Sequence, residues 1–308
     1  MDIPGYKLGR EVQVGQVCTT YNALDVEHSK TVIVQVFNEA LSKNPAFQSH
    51  FRDITQRLVD QPLSNNVDYL DAIVTDNACV LVTNYCPRSA LQQDNYHDFS
   101  ENKVLAIGAR LATSLSQLHS LGIVHGGVEL TNISFLDDGD VVLETVAPQR
   151  TIPGFGAPNL GSQSLQDAAC LAPEADSGLT FSSDFYSLGV VLYELLLGRK
   201  PFNTETMEEM DQQKKAGEYL PLTGALFHLK PLFDGLLSPD PGSRIASDTH
   251  FVAILKACRK RSTDVADIAP AKPAVPEPAS APARPASVAS KSKTGKRPLI
   301  LALVPVIV

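Results

Sequence analysis

The chain has 308 residues, 44% of them apolar, and a formal net charge of −8. That is ample material for a large packed core. The acidic balance argues against a nucleic-acid partner, because phosphate binding relies on surplus Lys and Arg. Cys18, Cys79, Cys86, Cys170 and Cys258 are scattered without C-x-x-C pairing. They make neither a metal pattern nor an even-numbered disulfide framework, which fits a reduced, cytosolic compartment. Met1 to Lys7 has no apolar h-region, so no secretory signal is read there.

In chain order, Val12, Val14 and Val17 precede a polar turn. Thr31 to Phe37 is β-branched and bounded by polar residues, as a strand requires. Ala46 to Val59 carries Phe47, Phe51, Ile54 and Leu58 at helical spacing. Val80 to Thr83 is a further strand. From about residue 100 the pattern turns helical: Val104, Ile107, Leu111, Leu115 and Leu118 form one apolar stripe. Tyr186 to Leu197 is apolar on nearly all sides, the mark of a buried helix, with Gly198 and Pro201 as its stop signals. No internal repeat is found.

A strand-rich part followed by a helix-rich part predicts an α+β fold of two lobes, residues 1–86 and 87–262. Composition then shifts sharply. Residues 263–297 are mostly Ala, Pro, Ser and Lys, which bury too little surface to offset ordering entropy and read as a Pro-rich linker. Pro298 to Val308 is wholly apolar and follows Lys291, Lys293, Lys296 and Arg297. Two readings compete there: an apolar C-terminus on a soluble protein, and the first part of a transmembrane helix whose basic flank would keep the globular part in the cytosol. The second is the expectation, with membrane attachment through this segment.

Five segments in register resemble one family. Leu118-His119-Ser120-Leu121-Gly122-Ile123-Val124-His125 is similar to the approach to the catalytic loop of bacterial eukaryotic-type Ser/Thr protein kinases. Leu171-Ala172-Pro173-Glu174 matches the A-P-E motif. Ser183 to Leu195 resembles the buried helix that follows, and Gly198 to Phe202 and Pro241-Gly242-Ser243-Arg244 fit the same family. The resemblance covers residues 6 to about 258 and implies a bilobal kinase-like fold with a small β-rich N-lobe. It also implies that Glu174 pairs with Arg244, and that Asp184 binds the backbone of the loop containing His125.

The same resemblance places the chemical slots, whose roles follow the general template for phosphoryl transfer. The glycine loop falls on Gln13 to Cys18, where only Gly15 survives. The phosphate-pairing Lys falls on Gln35, and its helix Glu on or beside Ile54, with Asp53 one residue away. The loop H-R-D-L-K-P-E-N falls on His125 to Asn132, so Gly127 takes the place of the base and Glu129 that of a Lys. The metal-binding D-F-G falls on Thr145-Val146-Ala147, leaving Asn132 alone of the metal ligands. Ile33 and Ser134 take the positions that sandwich the base, and Thr83 completes the pocket.

The expectation is therefore a catalytically inactive, kinase-shaped domain: a membrane-tethered scaffold that binds a protein partner, with no cofactor and no metal. Its contact surface would be the groove between the lobes or the segment from Pro148 to Cys170, which contains Gly154, Gly156 and Gly161. The alternatives are a divergent Ser/Thr kinase and a switch that binds nucleotide weakly without transferring phosphate.

Overall fold

The computed structural model describes residues 2–86, 99–136, 140–152 and 165–268, with the side chains of 166, 167 and 260–268 excepted. All lie in one compact unit, Met1–Ile268.

The N-terminal part is a five-stranded antiparallel sheet formed by β1 (Tyr6–Val14), β2 (Cys18–Asp25), β3 (Lys30–Phe37), β4 (Tyr69–Val74) and β5 (Cys79–Asn84). Their spatial order is β1-β2-β3-β5-β4. The period of two along β3 decides what each side chain sees. Val32 and Val34 pack with Ala23, Val80 and Val82 into a small core on one face. Ile33 and Gln35 point to the other face, with Ile33 opposite Thr83 and Gln35 opposite Leu81 on β5.

After a short turn of helix, α1 (Glu39–Ser42), the helix α2 (Pro45–Val59) lies against this sheet. Asn44 caps it by accepting from the backbone N–H of Ala46 and Phe47, and Pro45 starts it where a missing N–H costs nothing. The predicted stripe Phe47, Phe51, Ile54 and Leu58 is fully inward. Phe47 and Phe51 meet Phe37 of β3 with ring centroids 5.2 and 5.3 Å apart. At the far end, Arg57 Nη1 donates to the Leu121 carbonyl at 2.6 Å, tying α2 to the second lobe.

The second lobe is built on α3 (Glu101–Ser120) and α5 (Phe181–Leu197), with α4 (Leu165–Cys170), α6 (Met207–Ala216), α7 (Lys230–Leu236) and α8 (Asp248–Ile268) around them. A two-stranded ribbon, β6 (Ile133–Phe135) with β7 (Val141–Leu143), sits beside the sheet. The helix α5 is the apolar segment expected to be buried. Thr180 and Ser183 form its capping box, and Gly198 ends it at φ +65°.

Two differences from the sequence expectations stand out. The last helix, α8, runs to Ile268, six residues past the boundary drawn at 262. Good helix formers continue through Lys256 to Arg261, and the first strong stop is Pro270. The expected membrane attachment through the C-terminal apolar segment is corrected: among the described residues no helix is long and apolar enough to cross a membrane. Residues 298–308 lie outside the described residues. The linker 263–297 lies outside them from residue 269 onward, as do Gly154, Gly156 and Gly161.

Candidate functional site

Where the sheet meets the β6–β7 ribbon, a cleft of about 310 Å³ opens between the lobes. Strand alternation delivers Thr20 and Asn22 from β2 and Ile33 and Gln35 from β3 to its roof, and Val12 and Gln13 of β1 join them where the β1–β2 register shifts. Thr83, Asn84, Tyr85 and Cys86 form the connection at its back. Asn132, Glu144 and Thr145 come from the second lobe.

The structure thus brings Ile33, Gln35, Thr83, Asn132 and Thr145 of the predicted site to one cavity. It does not bring Ser134 to the wall. Ser134 is fully buried, and its hydroxyl donates to Glu144 Oε1 at 2.7 Å. The carboxylate facing the cavity is therefore Glu144, which the sequence reading missed. Its only signal was its position one residue before Thr145. Asn22 and Thr20 were missed as well. Their spacing of two along β2, on the strand paired with β3, was the available clue.

Gly15 is absent from the cavity wall. It sits in the β1–β2 turn, where its N–H donates to Cys18 O at 2.9 Å and an added Cβ would lie 3.0 Å from that same oxygen. The turn is pinned to the end of β3: Asn38 donates from its backbone N–H to Val17 O and from its side chain to Gln16 O. Local geometry therefore accounts for a glycine at position 15.

On α2, Ile54 is 3% exposed and faces the core. Its neighbour Asp53 points outward and pairs with Arg57 across one helical turn. Of the two positions left open for the helix acid, the inward one carries an isoleucine.

The loop His125 to Asn132 is held from beneath. Asp184, 1% exposed, accepts from the backbone N–H of His125 at 2.8 Å and of Gly126 at 2.9 Å. Its Oδ2 also lies 2.8 Å from His119 Nε2, and the His119 ring stacks on Phe181 at 4.4 Å between centroids. Burial lowers the His125 pKa and keeps the ring neutral, the charge of Asp184 opposing this. Its Nδ1 accepts from Gly127 N–H, and its Nε2 stands 3.2 Å from Glu144 O. Gly126 adopts φ +70°, and its carbonyl accepts from Arg150 Nη1. At Gly127 the space is already taken: a Cβ would meet Ala147 Cβ and Asn132 Nδ2, each at 3.2 Å. Asn132 Nδ2 donates to Gly127 O at 2.8 Å and reaches Glu129 Oε1 at 3.3 Å. Neither Gly127 nor Glu129 lines the cavity.

Glu174 and Arg244 are also brought together. Arg244 Nη1 and Nη2 donate to the two carboxylate oxygens at 2.6 and 2.7 Å, a bidentate pair in which the Arg244 side chain is fully buried. Burial by itself would raise the Glu174 carboxyl, but the hydrogen bonds from Arg244 and Ser183 outweigh it and hold the pKa below the usual value.

Chemically, the cleft wall combines the apolar Val12, Ile33 and Val67 with polar groups that are mostly amides and hydroxyls. Gln13, Asn22, Gln35, Asn84 and Asn132 supply carboxamides, Thr20, Thr83 and Thr145 supply hydroxyls, and Glu144 is its one charged side chain among the described residues. No cluster of three His, Cys, Asp or Glu residues fit to hold a metal ion is found among the described residues. A nucleotide triphosphate with divalent metal is not matched by this donor set: the roof offers Gln35 instead of a cation, and Thr145 offers a hydroxyl instead of a carboxylate.

A small strand-rich lobe over a helical lobe, with a cleft between them and a loop anchored by a buried aspartate, defines a protein-kinase-like domain. The profile of the protein kinase domain matches residues 6–253, and the chain belongs to that family. Among its curated relatives, serine/threonine-protein kinase PknL of Mycobacterium tuberculosis is 27% identical over 262 residues, covering 82% of this chain and 65% of PknL. A probable serine/threonine-protein kinase of Clostridium acetobutylicum is 25% identical over 207 residues, covering 65% of this chain and 31% of the relative. Probable serine/threonine-protein kinase PknB of Bifidobacterium longum is 24% identical over 264 residues, covering 80% of this chain and 38% of its own length. The chain therefore spans between about a third and two thirds of the length of these bacterial relatives.

Proposed function

We propose that this domain does not transfer phosphate and acts instead as a kinase-shaped protein-binding module. The observation that carries the reading is the charge of the cleft. Opposite charges about 4 Å apart near a protein surface attract by about 4 kcal/mol at an effective dielectric of ~20. Active kinases place a Lys and metal-bound carboxylates where such attraction is needed. Gln35, Thr145 and Gly127 supply none of it, and Glu144 adds a negative charge to the same cavity. Loss of a single catalytic group costs on the order of 10² to 10⁴ in rate, and here base, phosphate cation and metal carboxylate are replaced together.

The retained groups serve shape. The Asp184 anchor and the Glu174–Arg244 pair hold the second lobe in kinase form without touching the cleft. A fixed surface with an idle cleft suits recognition of a protein partner. The test is transfer of labelled γ-phosphate from ATP by the full chain, to itself and to a generic protein acceptor, with magnesium and with manganese. Incorporation above the protein-free background would refute the reading. A second reading, a divergent Ser/Thr kinase, is favoured by Asn132 and by the relatives, which are named as serine/threonine-protein kinases, and it predicts measurable incorporation in that same assay.

A further inference from the structure

We infer that Cys170 and Lys200 form an oxidation-dependent crosslinking pair, in which hydrogen peroxide turns the thiol into a sulfenic acid and the lysine amine captures its sulfur as a sulfenamide. The pair does not line the cleft, and the inference goes beyond the proposed function without depending on it. Cys170 ends α4, and Lys200 follows the Gly198 stop of α5. Lys200 Nζ donates to Cys170 Sγ at 3.2 Å and stands 3.4 Å from Glu194 Oε2. The backbone around the sulfur is held by side chains of two helices. Ser187 Oγ of α5 donates to the Cys170 carbonyl at 2.7 Å, and Lys214 Nζ of α6 donates to the carbonyls of Ala168 and Leu171 at 2.5 and 2.9 Å. The lysine stem is flexible and closes the remaining distance. Cys170 is 4% exposed and the Lys200 side chain 17%, so a small oxidant reaches the pair from the lysine side.

Burial pushes the Cys170 thiol pKa up, with Lys200 opposing, so the neutral thiol predominates and its oxidation is slow. The pair therefore rests reduced and answers sustained peroxide. In the first step the sulfur takes one oxygen from the peroxide. The O–O bond breaks, an S–O bond forms and one water leaves; sulfur loses two electrons and the peroxide gains them. Burial by itself would lower the Lys200 pKa, but Cys170 and Glu194 outweigh it and hold the resting amine as an ammonium. In the second step Glu194 takes a proton from that ammonium. The freed lone pair attacks sulfur, the S–O bond breaks, and the hydroxyl leaves as water with a second amine proton. Thiol, amine and one peroxide thus give sulfenamide and two waters. Burial disfavours the charged products of further oxidation, and an amine already in contact with the sulfur competes well against them.

The experiment is prolonged treatment of the full chain with millimolar hydrogen peroxide, followed by tryptic digestion and mass spectrometry without reductant. The fragment holding Cys170 is joined to the fragment holding Lys200, and the joined mass is about 2 Da below the sum of the two, as loss of two hydrogens requires. Dithiothreitol separates them again. The link closes a loop between two positions 30 residues apart, so peroxide raises the melting temperature by about 4 °C or more and dithiothreitol reverses the rise. Lys200→Arg keeps a cation beside Glu194 but gives neither the link nor the rise, and Cys170→Ser gives neither. Cys170 that stays a thiol, or that ends as sulfinic or sulfonic acid without a link, overturns the inference. A link from Cys170 to Lys214 overturns the assignment to Lys200, and a joined fragment carrying an extra oxygen overturns the sulfenamide step. The label-incorporation assay decides the proposed function separately, so neither result stands in for the other.

Discussion

Removing the Asp184 carboxylate tests the anchor on which the loop His125 to Asn132 depends. In Asp184→Ala, the backbone N–H groups of His125 and Gly126 lose the acceptor they now reach at 2.8 and 2.9 Å, in a site where Asp184 is 1% exposed. An unsatisfied buried donor costs about 1–3 kcal/mol, so two cost about 2–6 kcal/mol. For a domain of this size each kcal/mol moves the melting temperature by about 2–4 °C. A midpoint loss of about 4 kcal/mol therefore lowers it by about 8–16 °C. Asp184→Asn keeps one acceptor oxygen and loses less. Asp176→Ala, at an exposed acid, stays within about 0.5 kcal/mol of the parent and serves as control. Thermal melts followed by circular dichroism measure the shift, and hydrogen exchange reads the His125 and Gly126 amides directly. A melting temperature for Asp184→Ala within about 2 °C of the parent, with both amides still protected, would refute the anchoring argument.

Further outcomes follow from the same geometry. Gly127→Asp restores the side chain of a catalytic base but crowds Ala147 Cβ and Asn132 Nδ2. It destabilises the fold by about 1–3 kcal/mol and gains no phosphate transfer, and label incorporation by this variant would contradict the proposed function. Ile54→Glu buries an unpaired carboxylate at a 3% exposed position and costs about 3 kcal/mol or more. Adding Gln35→Lys recovers part of that loss in thermal melts, and a double variant no more stable than Ile54→Glu alone shows that these positions do not face each other. Glu174 has a folded pKa below its unfolded one, so its contribution is full above the unfolded value of about 4.3 and vanishes as pH falls through the lowered folded value. The stability gap between the parent and Glu174→Gln, followed by melts across pH, is therefore widest near neutrality and closes in acid. A gap independent of pH contradicts the ionised pair.

The sequence by itself determined the two lobes, the inward stripe of α2, the buried helix α5 with its Gly198 stop, and the residues at the motif positions. These are properties of local periodicity and of residue type at fixed spacing, and one chain displays both. Several matters were settled only by tertiary structure. Gly15 serves a turn instead of the cavity wall. Ser134 is withdrawn from the cavity, and Glu144 stands there in its place. The β4 strand, which lacked a strong period-two pattern, takes its edge position by pairing with β5. In each case the deciding partner lies on another element. A cavity wall is assembled from side chains far apart in the chain, and their shared charge has no signature at any one spacing.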